Sequence, residues 1–220
     1  MRRTGAGRHR SAPPATNGEE TFDEEADGVK KLREMSDEEL WRLFPIVLSE
    51  PDPAWKVWYA HEEKTLVEAL GRKNVERIHH IGSTAVEGLK AKPTVDILLE
   101  IVPGCDLLRL ERILKGEGYL GIDQPENPPP HRLFLKGYTE EGFAEKVFHL
   151  HVRYRGDWDE LYFRDYLRIR SDAAREYERL KIGLKALYER NRDRYSKGKT
   201  DFVRTHTALA RALFGDRYGG

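Results

Sequence analysis

The alternation of apolar and polar positions predicts a small β-sheet in the middle of the chain. The strongest strand signal lies between Pro93 and Val102, where apolar residues follow one another almost without interruption. A run that is apolar on both faces is typical of a central strand that helices cover on at least one side. Shorter runs of strand-forming residues predict three further strands, over residues 75–81, 132–136 and 146–153.

Helical patterns flank these strands. Ser36 begins a capping box, which predicts a short helix that Pro45 ends. Residues 59–70 carry apolar side chains on one face and stop at Gly71, so they predict a second helix. Asp106 is the predicted N-cap of a third helix. The elements before the middle of the chain therefore alternate between helix and strand.

The order of elements predicts one α/β (α+β) domain, a small mixed sheet backed by helices. This domain is expected over residues 36–213, of which 156–213 form a helical C-terminal part with breaks near residue 171 and over 192–200. Residues 1–30 carry a basic stretch followed by an acidic one and have almost nothing to bury. We expect them to be a disordered or loosely attached tail.

Composition narrows the class of protein. The 38 Lys and Arg residues balance 38 Asp and Glu residues, so the overall charge does not favour nucleic acid as a partner. The single cysteine, Cys105, excludes an internal disulfide and fits a reducing compartment. No apolar run approaches the roughly 20 residues of a membrane helix. We therefore expect a cytoplasmic protein that binds neither membrane nor nucleic acid; its oligomeric state stays open.

The first candidate site combines a turn with an acidic strand. Gly82 and Ser83 follow a predicted strand, where a glycine lets the backbone approach a ligand closely and amide and hydroxyl groups can bind phosphate, with Thr84 as a further hydroxyl. Asp96 lies in the next, buried strand, and a carboxylate there must be paired or bound to a metal ion. Glu100 shares the face of Asp96, because side chains repeat every two residues. A salt bridge is the structural alternative for Asp96.

The second candidate site is a pair of histidines. His149 and His151 lie two residues apart on a predicted strand, so both imidazoles point to one face. Facing Asp96 across the sheet, they can bind a metal ion, transfer a proton or contact a phosphate. Two hydrogen-bonded structural histidines are the alternative. From the helical C-terminal part, Lys181 and Lys199 are the candidates to reach over the sheet and hold phosphate groups.

Several segments of the chain resemble the GrpB-like family, a group of bacterial proteins placed in the nucleotidyltransferase superfamily. The resemblance is carried by residues 80–89 (HIGSTAVEGL), 91–97 (AKPTVDI), 148–152 (FHLHV), 162–167 (YFRDYL) and 199–202 (KTDF). It covers roughly the whole expected domain and implies a nucleotidyltransferase-like fold.

The superfamily pattern is a Gly-Ser turn, a strand with two carboxylates at alternate positions, and a third carboxylate on a later strand. These acids hold two magnesium ions. Asp96 matches the first carboxylate, but Leu98 occupies the second position and cannot bind metal, and His149 or His151 stands in for the third. The resemblance then implies a single divalent ion on Asp96, His149 and His151, with Glu100 as a further ligand. Magnesium or manganese is expected, and imidazole ligands also favour zinc.

Three functions follow from these residues. The first is an enzyme that transfers a nucleotidyl group from a nucleoside triphosphate to a small acceptor, with Asp96 and the two histidines as catalytic residues. The second is a nucleotide-binding or regulatory module that has lost transfer, which Leu98 favours. The third is a metal-dependent phosphohydrolase that uses the histidines. The partners expected in each case are a nucleotide and an unidentified small molecule.

Overall fold

The computed structural model describes residues 32, 34–122 and 130–219 of the protein. The expected tail over residues 1–30 lies outside these residues. In chain order the elements are α1 Asp37–Leu43, α2 Ala54–Leu70, the 3-10 turn Arg72–Asn74, β1 Val75–Ile81, the 3-10 turn Ser83–Ala85, β2 Thr94–Ile101, α3 Leu107–Gly116, β3 Leu120–Ile122, β4 Arg132–Thr139, β5 Gly142–Tyr154, α4 Asp159–Ile169, α5 Ser171–Tyr188, α6 Arg192–Lys197 and α7 Thr200–Phe214.

The described strands form one five-stranded mixed sheet in the order β1-β2-β5-β4-β3. Strands β2 and β5 are parallel, and the other neighbours are antiparallel. The predicted mixed sheet backed by helices is therefore confirmed. The two later strands are longer than predicted because they form one hairpin, β4–β5. Strand β3 was not predicted, since three residues at the edge of a sheet are too few to show a period.

The boundaries of the helices follow local signals in most places. The Ser36 hydroxyl accepts a hydrogen bond from the Glu39 amide while the Glu39 carboxylate accepts one from the Ser36 amide, which confirms the capping box. Asp106 accepts a hydrogen bond from the Arg109 amide and caps α3 as predicted. Helix α2 begins earlier than predicted, since Trp55 in its first turn is buried in the core.

The C-terminal helices confirm the predicted break near residue 171, where α4 ends and α5 begins. The predicted break over 192–200 is only partly correct, because the short helix α6 fills most of it. Helix α7 begins at Thr200 without a side-chain cap. Lys199 precedes this helix in a helical conformation, with φ −93° and ψ −13°, and makes no side-chain cap. Helix α6 thus runs almost directly into α7.

The main core lies on one face of the sheet. Helices α2 and α3 pack there against the apolar side chains of β2 and β5; the buried members are Trp55, Leu66, Leu70, Val95, Ile97, Leu99, Ile101, Leu110, Leu114, Phe148, Leu150 and Val152. The opposite face carries the C-terminal helices, whose own cluster includes Tyr162, Tyr166, Leu167, Tyr177 and Ala210. Within the described residues, no helix is long and apolar enough to cross a membrane.

Leu98 belongs to this second face and is fully buried. It packs in a small apolar cluster with Ile81 of β1 and Leu161 of α4. The position that carries the second carboxylate in the superfamily pattern is therefore closed by a helix in this protein. A leucine fits such a position, whereas a charged group there would lose its hydration.

Replacing Leu98 by aspartate is expected to lower the free energy of unfolding by about 3–5 kcal/mol, because it places a charge in a fully buried apolar cluster. Urea denaturation measures this change. Leu98→Met, which conserves volume and polarity, serves as control and is expected to cost less than about 1.5 kcal/mol. An aspartate variant as stable as the control would show that the cluster opens to water.

Candidate functional site

Two neighbouring parallel strands bring together the acidic and histidine positions. Asp96 of β2 lies opposite His149 of β5, and Leu98 lies opposite His151. His149 Nδ1 is 3.0 Å from Asp96 Oδ1, and His151 Nε2 is 4.0 Å from the same oxygen. The two-residue period of the strands thus places all three polar side chains on one face, as expected. The structural alternative was a salt bridge from Asp96 to a lysine or arginine. Among the described residues Asp96 forms no such bridge, and its partners are histidines.

Hydrogen bonding decides the ionisation state of Asp96. Burial by itself would raise the pKa of this carboxyl, but hydrogen bonds and charge from His149 and His151 outweigh burial and hold the pKa well below its usual range. Burial has the larger effect on His149, whose pKa is lowered although Asp96 opposes the shift. At neutral pH the pair is therefore an ionised carboxylate that accepts a hydrogen bond from a neutral imidazole.

The turn after β1 is built against this carboxylate. Gly82 has φ 70° and ψ −170°, a conformation that is open essentially to glycine alone. A Cβ atom at Gly82 would lie 2.3 Å from Asp96 Oδ2, so any other residue would also collide with the carboxylate. The turn and the strand therefore need a glycine at this point both for its backbone and for its lack of a side chain.

The two hydroxyls of the turn have different surroundings. Ser83 Oγ accepts a hydrogen bond from Lys181 Nζ at 3.3 Å. Thr84 is buried, and its hydroxyl donates to the Thr94 carbonyl at 3.1 Å and lies 3.0 Å from His80 Nε2. The structure thus uses Thr84 to join the turn to β2, and only Ser83 of the two is placed beside a cation.

Four positively charged side chains surround the site: Lys92, Lys181, Arg192 and Lys199. Among the residues that the structure describes, no Asp or Glu oxygen lies within 4.0 Å of any of these four charged groups. Lys181 is 2% exposed and donates only to Ser83 and to the Lys90 carbonyl. Such a cluster is costly, because several like charges share a poorly solvated region and none of them is directly paired with a carboxylate.

The pKa values of the lysines reflect this cost. Burial lowers the pKa of Lys92 to about 7, and the charges of Arg192 and Lys199 add to the shift while Asp96 opposes it. Burial and the charge of Lys199 lower the pKa of Lys181 to about 7. Burial also lowers the pKa of Lys199. An anion bound among these groups would restore their usual protonation, so the arrangement favours an anionic ligand.

The residues at the site do not match a clamp for two metal ions. Asp96 is the only carboxylate that β2 contributes there, because position 98 is a buried leucine. Both ring nitrogens of His149 are engaged, Nδ1 with Asp96 and Nε2 with the Tyr138 hydroxyl at 2.7 Å. In the described part of the chain, no group of three or more His, Cys, Asp or Glu side chains is arranged to hold a metal ion.

Glu100, expected as a further metal ligand, lies in a separate site. Its oxygens accept hydrogen bonds from Arg77, from the Gly156 amide and from Trp158 Nε1. Four residues of strand separate it from Asp96, which corresponds to about 13 Å at a rise of about 3.3 Å per residue. Glu100 therefore neutralises a buried arginine and is not brought to the carboxylate–histidine pair.

A groove of about 550 Å³ opens beside the cation cluster. Its lining includes Lys199, Tyr177 and, from α7, Thr200, Val203 and Thr207. This volume lies in the range of pockets that hold small organic ligands, about 300–1,000 Å³. The groove and the cluster therefore form two adjoining compartments, one of mixed polarity and one strongly positive.

Sequence reasoning missed three residues of the site: Lys92, Tyr138 and Arg192. Lys92 precedes the strand of Asp96 in a segment that the resemblance includes, and this proximity was a usable signal. Arg192 is distant in the chain and lies in a charge-rich helix, where nothing distinguishes it from solvated neighbours. Tyr138 follows a glycine that alters the strand register, which the pattern of apolar residues does not reveal.

Substituting Gly82 by alanine is expected to destabilise the protein more than the same substitution at Gly88. Both glycines have positive φ, 70° and 75°, but a Cβ at Gly88 would meet nothing within 4 Å. The collision with Asp96 should add about 1–3 kcal/mol to the loss of unfolding free energy at Gly82. Paired urea denaturation curves measure the difference, and equal losses would contradict the close approach of turn and carboxylate.

Comparisons with known proteins agree with this architecture. A family model described as GrpB protein matches residues 45–209. A UPF0157 protein of Pseudomonas aeruginosa is 40% identical over 169 residues, which are 76% of this chain and 67% of that protein. The glutamate-rich protein GrpB of Alkalihalophilus pseudofirmus is 33% identical over 163 residues, 72% of this chain and 91% of that protein.

A solved structure extends the likeness to three dimensions. The crystal structure of conserved protein GrpB from Enterococcus faecalis superposes with a TM-score of 0.67 and 26% identity, covering 76% of this chain and 99% of that chain. The match of the family model spans the sheet, the Gly82 turn and both histidines. The resemblance that the sequence motifs indicated is confirmed, and the chain belongs to the GrpB family.

Proposed function

We propose that the protein binds a nucleoside triphosphate at the Asp96 site and transfers its nucleotidyl group to a small hydroxyl-bearing acceptor. The observation that carries the proposal is the cluster of four cations without carboxylate partners, Lys92, Lys181, Arg192 and Lys199. A triphosphate carries three to four negative charges and offers many acceptor oxygens. It therefore matches both the charge and the hydrogen-bond donors of this cluster.

The phosphate groups would lie between the turn and the C-terminal helices. Lys181 and the Ser83 hydroxyl are already joined at 3.3 Å, so a phosphate oxygen that binds one of them meets the other. Lys199 stands where the cluster meets the groove, and its position suits the phosphate next to the nucleoside. The groove of about 550 Å³ would then hold the nucleoside itself.

The transfer step would use the carboxylate–histidine pair as a base. His149 is neutral and is oriented by Asp96 at 3.0 Å, so it can accept a proton from an attacking hydroxyl. The lysines and Arg192 would neutralise the charge that develops on the departing pyrophosphate, which is the main requirement of phosphoryl transfer. Divalent ions would enter as counter-ions of the triphosphate, and no step here is assigned to a metal ion held by the protein.

A second candidate function is nucleotide binding without transfer. The observation that favours it is the environment of Leu98. This residue stands where a second metal-binding carboxylate was expected, and it is packed in an apolar cluster. A module of this kind would use nucleotide binding to alter contacts with a partner. Release of pyrophosphate separates the two functions, and release of inorganic phosphate instead would indicate the phosphohydrolase that the histidines first suggested.

Lys181→Met is expected to weaken binding of ATP, or of whichever nucleoside triphosphate binds best, by about 10- to 100-fold. The reason is that a hydrogen bond from a charged donor contributes about 1.5–3 kcal/mol. Titration calorimetry with ATP, GTP, CTP and UTP, each with magnesium, manganese or zinc or with a chelator, measures the affinity. Lys185→Met, one turn further on α5 and paired with Glu189, is the control and should bind normally. Equal affinities in the two variants would contradict a phosphate site at Lys181.

Affinity for inorganic triphosphate is expected to fall by at least about tenfold between pH 6.5 and pH 8.5. In the free protein the pKa values of Lys92 and Lys181 are about 7, and both lysines lose their charge above that pH. A bound anion raises these pKa values, so binding takes up protons and weakens as pH rises through 7. In the double variant Lys92→Met, Lys181→Met, the ionisation of triphosphate itself remains as a cause of pH dependence. The affinity of this variant should stay constant or rise as pH increases. An unchanged slope in that variant would assign the effect to other groups.

A further inference from the structure

A β-bulge turns one tyrosine toward the carboxylate–histidine pair. The register of β4 against β5 shifts between Lys136 and Tyr138, at Gly137, whose φ is 87°. A Cβ atom there would lie 2.2 Å from the Lys146 carbonyl oxygen, so the bulge requires glycine. Before the bulge, Lys136 points to the face of the main core, and by simple alternation Tyr138 would share that face. Across the bulge the partner changes from Phe148 for Lys136 to Phe143 for Tyr138, so the additional residues lie in β5. The positive φ of Gly137 interrupts the alternation in β4, and Tyr138 lies beside His149.

The hydrogen bonds of this group have only one consistent set of directions. Asp96 is ionised and can only accept, so His149 Nδ1 carries the proton and donates to Asp96 Oδ1 at 3.0 Å. The neutral imidazole then has a lone pair on Nε2. Arg192 Nη2 can only donate, and it donates to the Tyr138 hydroxyl oxygen at 2.9 Å. The Tyr138 hydroxyl therefore donates its own proton to His149 Nε2, at 2.7 Å.

This series of hydrogen bonds matches the arrangement around an activated nucleophile. A hydroxyl is hydrogen-bonded to a neutral imidazole base, and the base is oriented by a half-buried carboxylate, which is the arrangement that generates a nucleophile in many group-transfer enzymes. Tyrosine is among the side chains that form covalent intermediates. Arg192 lies at the same hydroxyl and 5.4 Å from the ring centre of Tyr138, so negative charge on the phenol oxygen would be compensated.

The ring of Tyr138 is held firmly while its hydroxyl faces the site. Phe44 packs edge-on against the ring at 4.9 Å and Phe143 at 5.3 Å. Burial raises the pKa of the Tyr138 hydroxyl, and the charge of Arg192 opposes the shift without reversing it. The phenol is therefore neutral at physiological pH. It can become a nucleophile only if a base removes its proton as the new bond forms, which is the task that the geometry gives to His149.

We propose that Tyr138 is the nucleophile of a two-step nucleotidyl transfer, with His149 as its base and Asp96 as the residue that orients the base. In the first step, Tyr138 Oη attacks the α-phosphorus of the nucleoside triphosphate. The bond from that phosphorus to the oxygen bridging to the β-phosphorus breaks, and pyrophosphate leaves with the electron pair. The proton of Tyr138 passes to His149 Nε2, and Asp96 stabilises the imidazolium.

The second step returns the enzyme to its starting state. The hydroxyl of the acceptor attacks the phosphorus of the tyrosyl-nucleotide, and the bond between that phosphorus and Tyr138 Oη breaks. The departing phenolate takes the proton back from His149, while the acceptor proton is released to solvent. The inference rests on the proposed function, because it takes the triphosphate bound at the cation cluster as its substrate. It adds a covalent intermediate that a direct transfer does not contain.

The test compares wild-type protein with Tyr138→Phe, which keeps the ring and its packing against Phe44 and Phe143. In one reaction, the protein is incubated without acceptor and with the nucleoside triphosphate that binds best, labelled at the α-phosphorus. In a parallel reaction, the triphosphate is unlabelled and the pyrophosphate carries the label. We expect one nucleotidyl group on the peptide that contains Tyr138, together with exchange of pyrophosphate into the triphosphate. In Tyr138→Phe we expect both signals to fall by more than 100-fold, while the Kd for the nucleotide changes by less than about threefold.

The control is Tyr154→Phe on the exposed end of β5, which should label and exchange like wild type. Undiminished turnover in Tyr138→Phe, or a label on any other residue, would overturn the role of Tyr138 and leave the proposed function standing. Nucleotide binding by wild-type protein without label, exchange or turnover would overturn the covalent step and favour the binding module. Absence of nucleotide binding would overturn both proposals at once.

Discussion

The arrangement of the site depends on one ionised carboxylate in the central pair of strands. Asp96 lies where β2 and β5 run parallel, and its charge is stabilised by a hydrogen bond from His149, while His151 Nε2 lies 4.0 Å away. Because the carboxylate is held at this point, it constrains both the turn after β1 and the orientation of the imidazole. Gly82 must lack a side chain, since a Cβ would lie 2.3 Å from Asp96 Oδ2. The neutral imidazole must direct its free lone pair away from Asp96, toward Tyr138.

Positive charge exceeds negative charge around this carboxylate. Four cations approach the site from the turn before β2 and from the C-terminal helices, and among the described residues the charges that oppose them are those of Asp96 and Glu178. Folding alone would not favour such an excess, because poorly solvated like charges raise the free energy of the native state. A ligand that removes the cost is therefore the simplest physical reason for the arrangement, and strained or costly groups commonly mark functional sites.

A single face of β2 passes through three different environments. Asp96 borders the cation cluster, Leu98 is closed under Leu161 of α4, and Glu100 is paired with Arg77. The superfamily pattern would place two carboxylates at the first two of these positions. In this protein helix α4 covers the second one, so charge at the site comes from lysines and an arginine rather than from additional acids. The chemistry available is correspondingly that of hydrogen-bond donors and an imidazole base.

Local signals in the sequence were sufficient to predict the mixed sheet and the caps of α1 and α3. They also placed Asp96, His149 and His151 on one face, because the two-residue period of side chains acts along each strand independently of the rest of the fold. The partner of Glu100, the contacts of Thr84 and the approach of Arg192 involve residues far apart in the chain, which no local period encodes. The face of Tyr138 depends on the break in the β4–β5 register at Gly137, and such a break ends every inference from alternation. The sequence thus determined which side chains carry chemistry on each strand, and only tertiary packing decided which of them meet.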